Sequence, residues 1–157
     1  MLLGEACAAN LTNGYQAQQQ IESPTNKENY IVALFANGSQ TSGTWKLRMP
    51  NDWNGGAFNV DVRWSADSAA TDSVKWILQA RAYDNGDTID QAFGAAVNVT
   101  QANAGQNKLN VTTPLAVTPA GSTTGGCTVL LQISRDAADS LAAVARLWMA
   151  ALTYTRA

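Results

Sequence analysis

Residues 45–64, WKLRMPNDWNGGAFNVDVRW, decide how this chain reads. Phe58, Val60, Val62 and Trp64 alternate with Asn59, Asp61 and Arg63. Successive side chains of an extended strand point to opposite faces, so this is a strand with one face on a core. Trp45, Leu47 and Met49 alternate with Lys46 and Arg48 in the same way and predict a second strand. Between them lies Pro50-Asn51-Asp52-Trp53-Asn54-Gly55-Gly56. Proline fixes φ, Asn and Asp bond their own backbone, and glycine accepts positive φ, so the chain reverses here. A two-strand unit with one oily face does not stand alone in water. Other segments must cover it.

They come at regular spacing. YIVALFA (30–36) is a continuous apolar run, the pattern of a strand covered on both faces. SVKWILQARAY (73–83) places Val74, Trp76, Leu78, Ala80 and Ala82 inward. One helical turn is expected near Ile89–Phe93, then short strands at 95–100, 107–113 and 114–119. AGSTTGG (120–126) reads as a flexible loop, and CTVLLQIS (127–134) as a strand with Val129, Leu131 and Ile133 on one side. RDAADSLAAVARLWMAALTYTRA (135–157) has two readings. One is a helix capped by Asp136 or Asp139. The other is a loop and then a strand with Leu147, Met149, Ala151 and Thr153 facing in. About eight strands joined by short turns predict an all-β, jelly-roll-like antiparallel β-sandwich over residues 28–157.

Residues 1–27 differ in character, with few apolar residues and a Gln run followed by Ser-Pro. They read as an extended or partly disordered arm that orders against a partner through Tyr15 and Ile21, and that the sandwich does not need in order to fold. A short helix through Tyr15–Ile21 also fits the propensities. The opening MLLGEACAA lacks a basic start and carries Glu5, so it makes a poor signal peptide.

Composition narrows the function classes. The 157 residues are 46% hydrophobic but only 14% charged, so an Asn-, Gln-, Ser- and Thr-rich exterior suits either an interface or a neutral hydrophilic surface. A net charge of −2 gives no electrostatic case for nucleic acid or an anionic membrane. No run reaches transmembrane length. With no histidine, the commonest general base and the commonest zinc ligand are both missing. No G-x-S-x-G or S-x-x-K motif occurs either, and the chain reads as non-enzymatic with no cofactor. Cys7 and Cys127 have no metal spacing and read as free thiols. Asp84, Asn85, Asp87 and Asp90 gather oxygen atoms in one loop, making Asp84, Asp87 and Asp90 weak candidates for a hard cation. The spacing departs from the Ca²⁺-loop pattern, and the simpler reading is a turn with Asx bonds. Of five tryptophans, Trp45, Trp64 and Trp76 fall at inward positions. Trp53, in the turn, and Trp148, opposite Leu147 and Met149, are the candidates for contact with a sugar or another subunit.

Three phrases carry a resemblance: RMPNDWNGG (48–56) before the strand ending in Trp64, KWILQARAYDNGDTIDQAFGAAVNVT (75–100), and LLQISRDAADSLAAVARLWMAALTYTR (130–156). In this order they resemble small structural proteins of tailed bacteriophages, over roughly residues 30–157. The resemblance implies a jelly-roll-like, non-enzymatic building block of the virion, made in the bacterial host cytoplasm. It also implies loop plus strand for the C-terminal segment. The leading expectation is a capsid decoration (cement) protein, a homotrimer that stabilises the shell by binding neighbouring major capsid subunits. The alternative is a tail-fibre, baseplate or head-fibre module that binds host-surface glycans. Neither nucleic acid nor membrane is an expected partner.

Overall fold

A computed structural model describes residues 7–9 and 11–157, with the side chains of Cys7 and Ala8 outside the description. The reading of residues 1–6 as a poor leader and of Cys7 as a free thiol therefore lies outside the described residues; Cys127 is free and buried. Every regular element described is a strand: β1 (Cys7–Ala9), β2 (Gln18–Glu22), β3 (Asn29–Phe35), β4 (Thr41–Arg48), β5 (Phe58–Ala66), β6 (Ser73–Tyr83), β7 (Val97–Ala102), β8 (Asn110–Val111), β9 (Leu115–Val117), β10 (Ala120–Gly121), β11 (Thr128–Arg135) and β12 (Ala145–Thr153).

These form two sheets. The first runs β1-β4-β11-β6, with β7 and β10 sharing the outer edge of β6; the second runs β2-β3-β12-β5, with β8 and β9 sharing the outer edge of β5. All pairings are antiparallel except that of β10 with β6. The fold is an all-β sandwich of the jelly-roll kind.

The opening stretch is not a hairpin. β4 lies in the first sheet and β5 in the second, so the turn between them carries the chain across the core. Each oily face finds its cover in the other: Trp45, Leu47 and Met49 join Phe58, Val60, Val62 and Trp64 in one buried cluster, with Trp76 and Leu78 of β6 and Val129, Leu131 and Ile133 of β11. Gly55 makes the crossing possible. Its φ is +77°, and a Cβ there would lie 2.3 Å from the Thr123 carbonyl oxygen.

The second crossing, from β11 to β12, is pinned by a buried cation. Arg135 is fully buried and paired with Asp139, whose side chain is 2% exposed. Its guanidinium also donates to the carbonyls of Phe35 at 3.0 Å and Ala143 at 2.7 Å, and to that of Leu141. Asp139 accepts through both oxygens, at 2.7 and 2.8 Å. The segment is thus loop and strand rather than helix: its Asp sits inside as a counter-ion.

Three local expectations are corrected. Residues 89–93 form no helical turn; the chain bends at residues 89 and 90 and is held by Arg81, which donates to the Ala92 carbonyl at 3.2 Å and to the Gln91 side chain. Within residues 107–113 only Asn110–Val111 pair as a strand. Thr112 instead bonds β5 through both its backbone and its hydroxyl, which accepts from the Val62 N–H at 3.0 Å. The 120–126 segment contributes β10.

Residues 18–22 form no helix. They pair with β3 along their whole length, which makes β2 the edge of the second sheet. Tyr15 is 8% exposed and belongs to the core, its ring stacked on Trp45 and tilted against Phe35. A Cβ on Gly43 would lie 2.9 Å from the Tyr15 ring, so the missing side chain makes room for it.

Candidate ligand-binding face

The outer face of the second sheet is built by an irregularity in β12. Leu147 pairs with Trp64 and Met149 with Arg63, leaving Trp148 as an extra residue without a cross-strand partner. This is a β-bulge, and it shifts the alternation by one. Leu147 faces in as expected, but beyond the bulge Ala150 and Leu152, opposite Val62 and Val60, take the inward positions. Met149, Ala151 and Thr153 turn outward, which corrects their assignment to the core. Trp148 and Met149 then share the open face, 37% and 38% exposed.

Trp148 is held in place. Its ring stacks on Tyr30 of β3, with centroids 4.1 Å apart and planes at 21°. Its indole Nε1 donates to Ser65 Oγ at 2.8 Å. Ser65 is only 2% exposed although it belongs to the outward set of β5. Val32, on the same face of β3 as Tyr30, is also buried yet lies outside the inter-sheet cluster. The Trp148–Tyr30 pair is thus the cover of a small second apolar layer on the outside of the sheet.

The row continues across β5, where Arg63 sits opposite Met149 on one side and Val111 of β8 on the other. Val111 is 46% exposed. Tyr30, Trp148, Met149, Arg63 and Val111 therefore cross adjacent strands, spanning about 15 Å at the usual strand spacing. Arg63 donates from Nε to Asp61 Oδ1 at 3.1 Å. Further along, Arg146 bonds Asn107 at 2.9 Å and Asp67 at 3.3 Å. The Gln106 amide, ahead of Arg146, holds the Asp67 carboxyl below its ordinary range.

Beside Met149, a cleft of about 260 Å³ opens between the ends of the two sheets, lined by Leu47–Pro50, Met149–Leu152 and Tyr154. At its rim the Tyr154 hydroxyl donates to Asp52 at 2.9 Å, and Asp52 also pairs with Arg156 at 3.2 Å. The bond to Asp52 raises the Tyr154 pKa.

The other candidates fall elsewhere. Trp53 is 2% exposed and packs edge-on against Phe58, so it plugs the core end of the crossing turn and offers no surface. Tyr15 is spent inside its own sandwich, and Ile21 is half-buried on β2 opposite Tyr30. Asp84 accepts from the Thr124 hydroxyl at 2.7 Å and from the Asn85 N–H, which lowers its pKa in that order of importance. Asp87 accepts from the Asp84 N–H at 2.8 Å and is lowered chiefly by that bond. Asp90 is exposed at a positive φ of 67°. The Asp84 and Asp87 carboxylates serve the turn, and no group of three metal-ligating side chains occurs among the described residues. Tyr30, Arg63 and Val111 escaped the sequence reading: Tyr30 was hidden in an apolar run, and the partners of the other two depend on register.

No family model matches the chain, and no curated protein matches it either. Solved structures do share the fold. Xyl-CBM35, in complex with a glucuronic acid-containing disaccharide, superposes with a TM-score of 0.50 at 10% identity, covering 94% of this chain and 91% of that one. TmCBM61 in complex with β-1,4-galactotriose gives 0.45 at 10%, covering 95% and 87%. The enzymatically active domain of bacteriophage CBA120 tailspike protein 4 gives 0.44 at 10%, covering 95% of this chain but 20% of its own. The likeness is one of fold.

Proposed function

We propose that this protein is a non-catalytic carbohydrate-binding sandwich of a phage particle, which holds a host-surface glycan against the outer face of its second sheet. One observation carries the reading. An exposed indole, stacked on a tyrosine and fixed by a hydrogen bond, stands on the outer face of the sheet. Apolar sugar faces stack on such rings. The sandwich is shared with Xyl-CBM35, whose structure holds a disaccharide, which is in keeping with a saccharide ligand. The phage setting rests on the resemblance of the three sequence phrases. The glycan-binding alternative is therefore favoured here over shell cementing, for which neither the comparisons nor the packing of Tyr15 into its own core gives support.

A glycan array tests this. The intact protein is expected to bind a restricted set of glycans, and Trp148→Ala and Tyr30→Ala are expected to lose that binding with an unchanged circular dichroism spectrum. Binding undiminished in both variants, or a blank array, would overturn the reading.

A further inference from the structure

We infer that the glycan held on this face carries a carboxylate, and that Arg63 reads it; the inference rests on the glycan-binding reading above. Arg63 stands in the middle of the exposed row, on a strand paired on both sides. Its Nε is bonded to Asp61, while neither terminal nitrogen of the guanidinium has a protein partner among the described residues. The pair is asymmetric in exposure: the Arg63 side chain is 40% exposed and that of Asp61 only 19%. Asp61 thus orients the guanidinium from beneath, and the forked end is what a ligand meets. Two parallel N–H donors match the two oxygens of a planar carboxylate.

The placement fits one saccharide. The indole Nε1 of Trp148 is anchored at Ser65, two residues from Arg63 on the same face of β5. Two residues of strand are about 7 Å, so a sugar ring stacked on the indole brings a ring carboxylate within reach of Arg63. The neighbouring cation does not compete. Arg146 is occupied by Asn107 and Asp67, and there the exposure is reversed, 18% for the arginine and 52% for the aspartate. Of these two arginines, Arg63 is accordingly the one that outreaches its counter-ion. A neutral glycan would leave that fork to water; a uronate or sialate would engage it.

The test is an array of matched neutral and carboxylated saccharides, with cellobiose against cellobiouronate and lactose against sialyllactose, read with the full chain and its variants. The carboxylated member of a bound pair is expected to bind at least about tenfold more tightly. Arg63→Gln is expected to abolish that preference while keeping the neutral binding, and Arg63→Lys to restore only part of it. Trp148→Ala should remove both. Binding without a carboxylate preference, or a preference that survives Arg63→Gln, would overturn this inference and leave the glycan reading standing. No binding to either class would overturn both. Equal urea midpoints for Arg63→Gln and the wild type guard against an effect of folding.

Discussion

The residue that most rewards substitution away from the binding face is Arg135. It is a cation with no exposure, and its bonds reach Asp139 and the backbone of three other residues, one in β3 and two in the loop before β12. Removing one member of such a pair leaves the other charged and alone in a poor solvent. Arg135→Met is therefore expected to cost about 3–5 kcal/mol, read as a lowered urea midpoint, whereas the double variant Arg135→Met/Asp139→Leu should recover much of the loss. If the single and double variants were equally unstable, the damage would lie in the carbonyl bonds rather than in the orphaned carboxylate. Trp148 stands at the other extreme. Its ring lies on the outside of a sheet, so Trp148→Ala should lose the stacking on Tyr30, worth about 0.5–1.5 kcal/mol beyond its burial, together with the bond to Ser65. The fold should survive. Arg135 was visible in the sequence only as part of a phrase, because nothing in a local pattern says that a charge ending a strand turns inward.

At the scale of elements, β12 shows where alternation misleads. Period two correctly orders β4, β5, β6 and β11, whose inward residues are all in the core. It fails halfway along β12, since a bulge inserts a residue that no pattern of apolar and polar letters marks when both neighbours are apolar. Leu147, Trp148 and Met149 are equally oily, so the letters could not say which of them stood outside. The exposure of Trp148 and Met149 side by side follows from that insertion, which is why Trp148 was legible as a candidate and its neighbour was not. The pairing of strands was hidden for a related reason. A turn that reverses the chain serves a hairpin and a sandwich crossing alike, and only the need to cover both faces at once decides between them. Deleting Trp148 should thus do little more harm to the fold than replacing it. Without the extra residue Leu147 stays opposite Trp64, Met149 opposite Arg63, and Ala150 and Leu152 opposite Val62 and Val60, so the strand becomes regular with the same residues inward. The deletion variant is expected to keep a cooperative thermal transition, as Trp148→Ala does; loss of the transition on deletion alone would count against Trp148 as the inserted residue.

For the whole molecule, the N-terminal segment and the acid response separate this fold from a sandwich with a dispensable arm. Tyr15 packs where Gly43 has no side chain, and β2 closes one edge of the second sheet. Tyr15→Ala is therefore expected to cost about 3–5 kcal/mol in chemical unfolding, as large aromatic truncations in cores do, and removal of residues 1–27 at least as much. A truncated protein as stable as the full chain would restore the arm. The pH profile follows from the carboxylates. Asp136 is lowered chiefly by its bond to Lys75, at 2.7 Å, Asp84 by Thr124, Asp87 by the Asp84 N–H and Asp67 by Gln106. A carboxyl whose pKa is depressed on folding contributes stability that is complete above its unfolded value and disappears as pH falls through the folded one. The chain has no histidine to titrate in between. The urea midpoint is accordingly expected to stay level from about pH 8 to 5 and to fall below about pH 4, where protons compete with Lys75 and the turn donors for these oxygens. Asp136→Asn should shrink the acid-side fall without moving the plateau's end near pH 5. A midpoint that changed between pH 6 and 8 would mean that some group other than these carboxylates controls the fold.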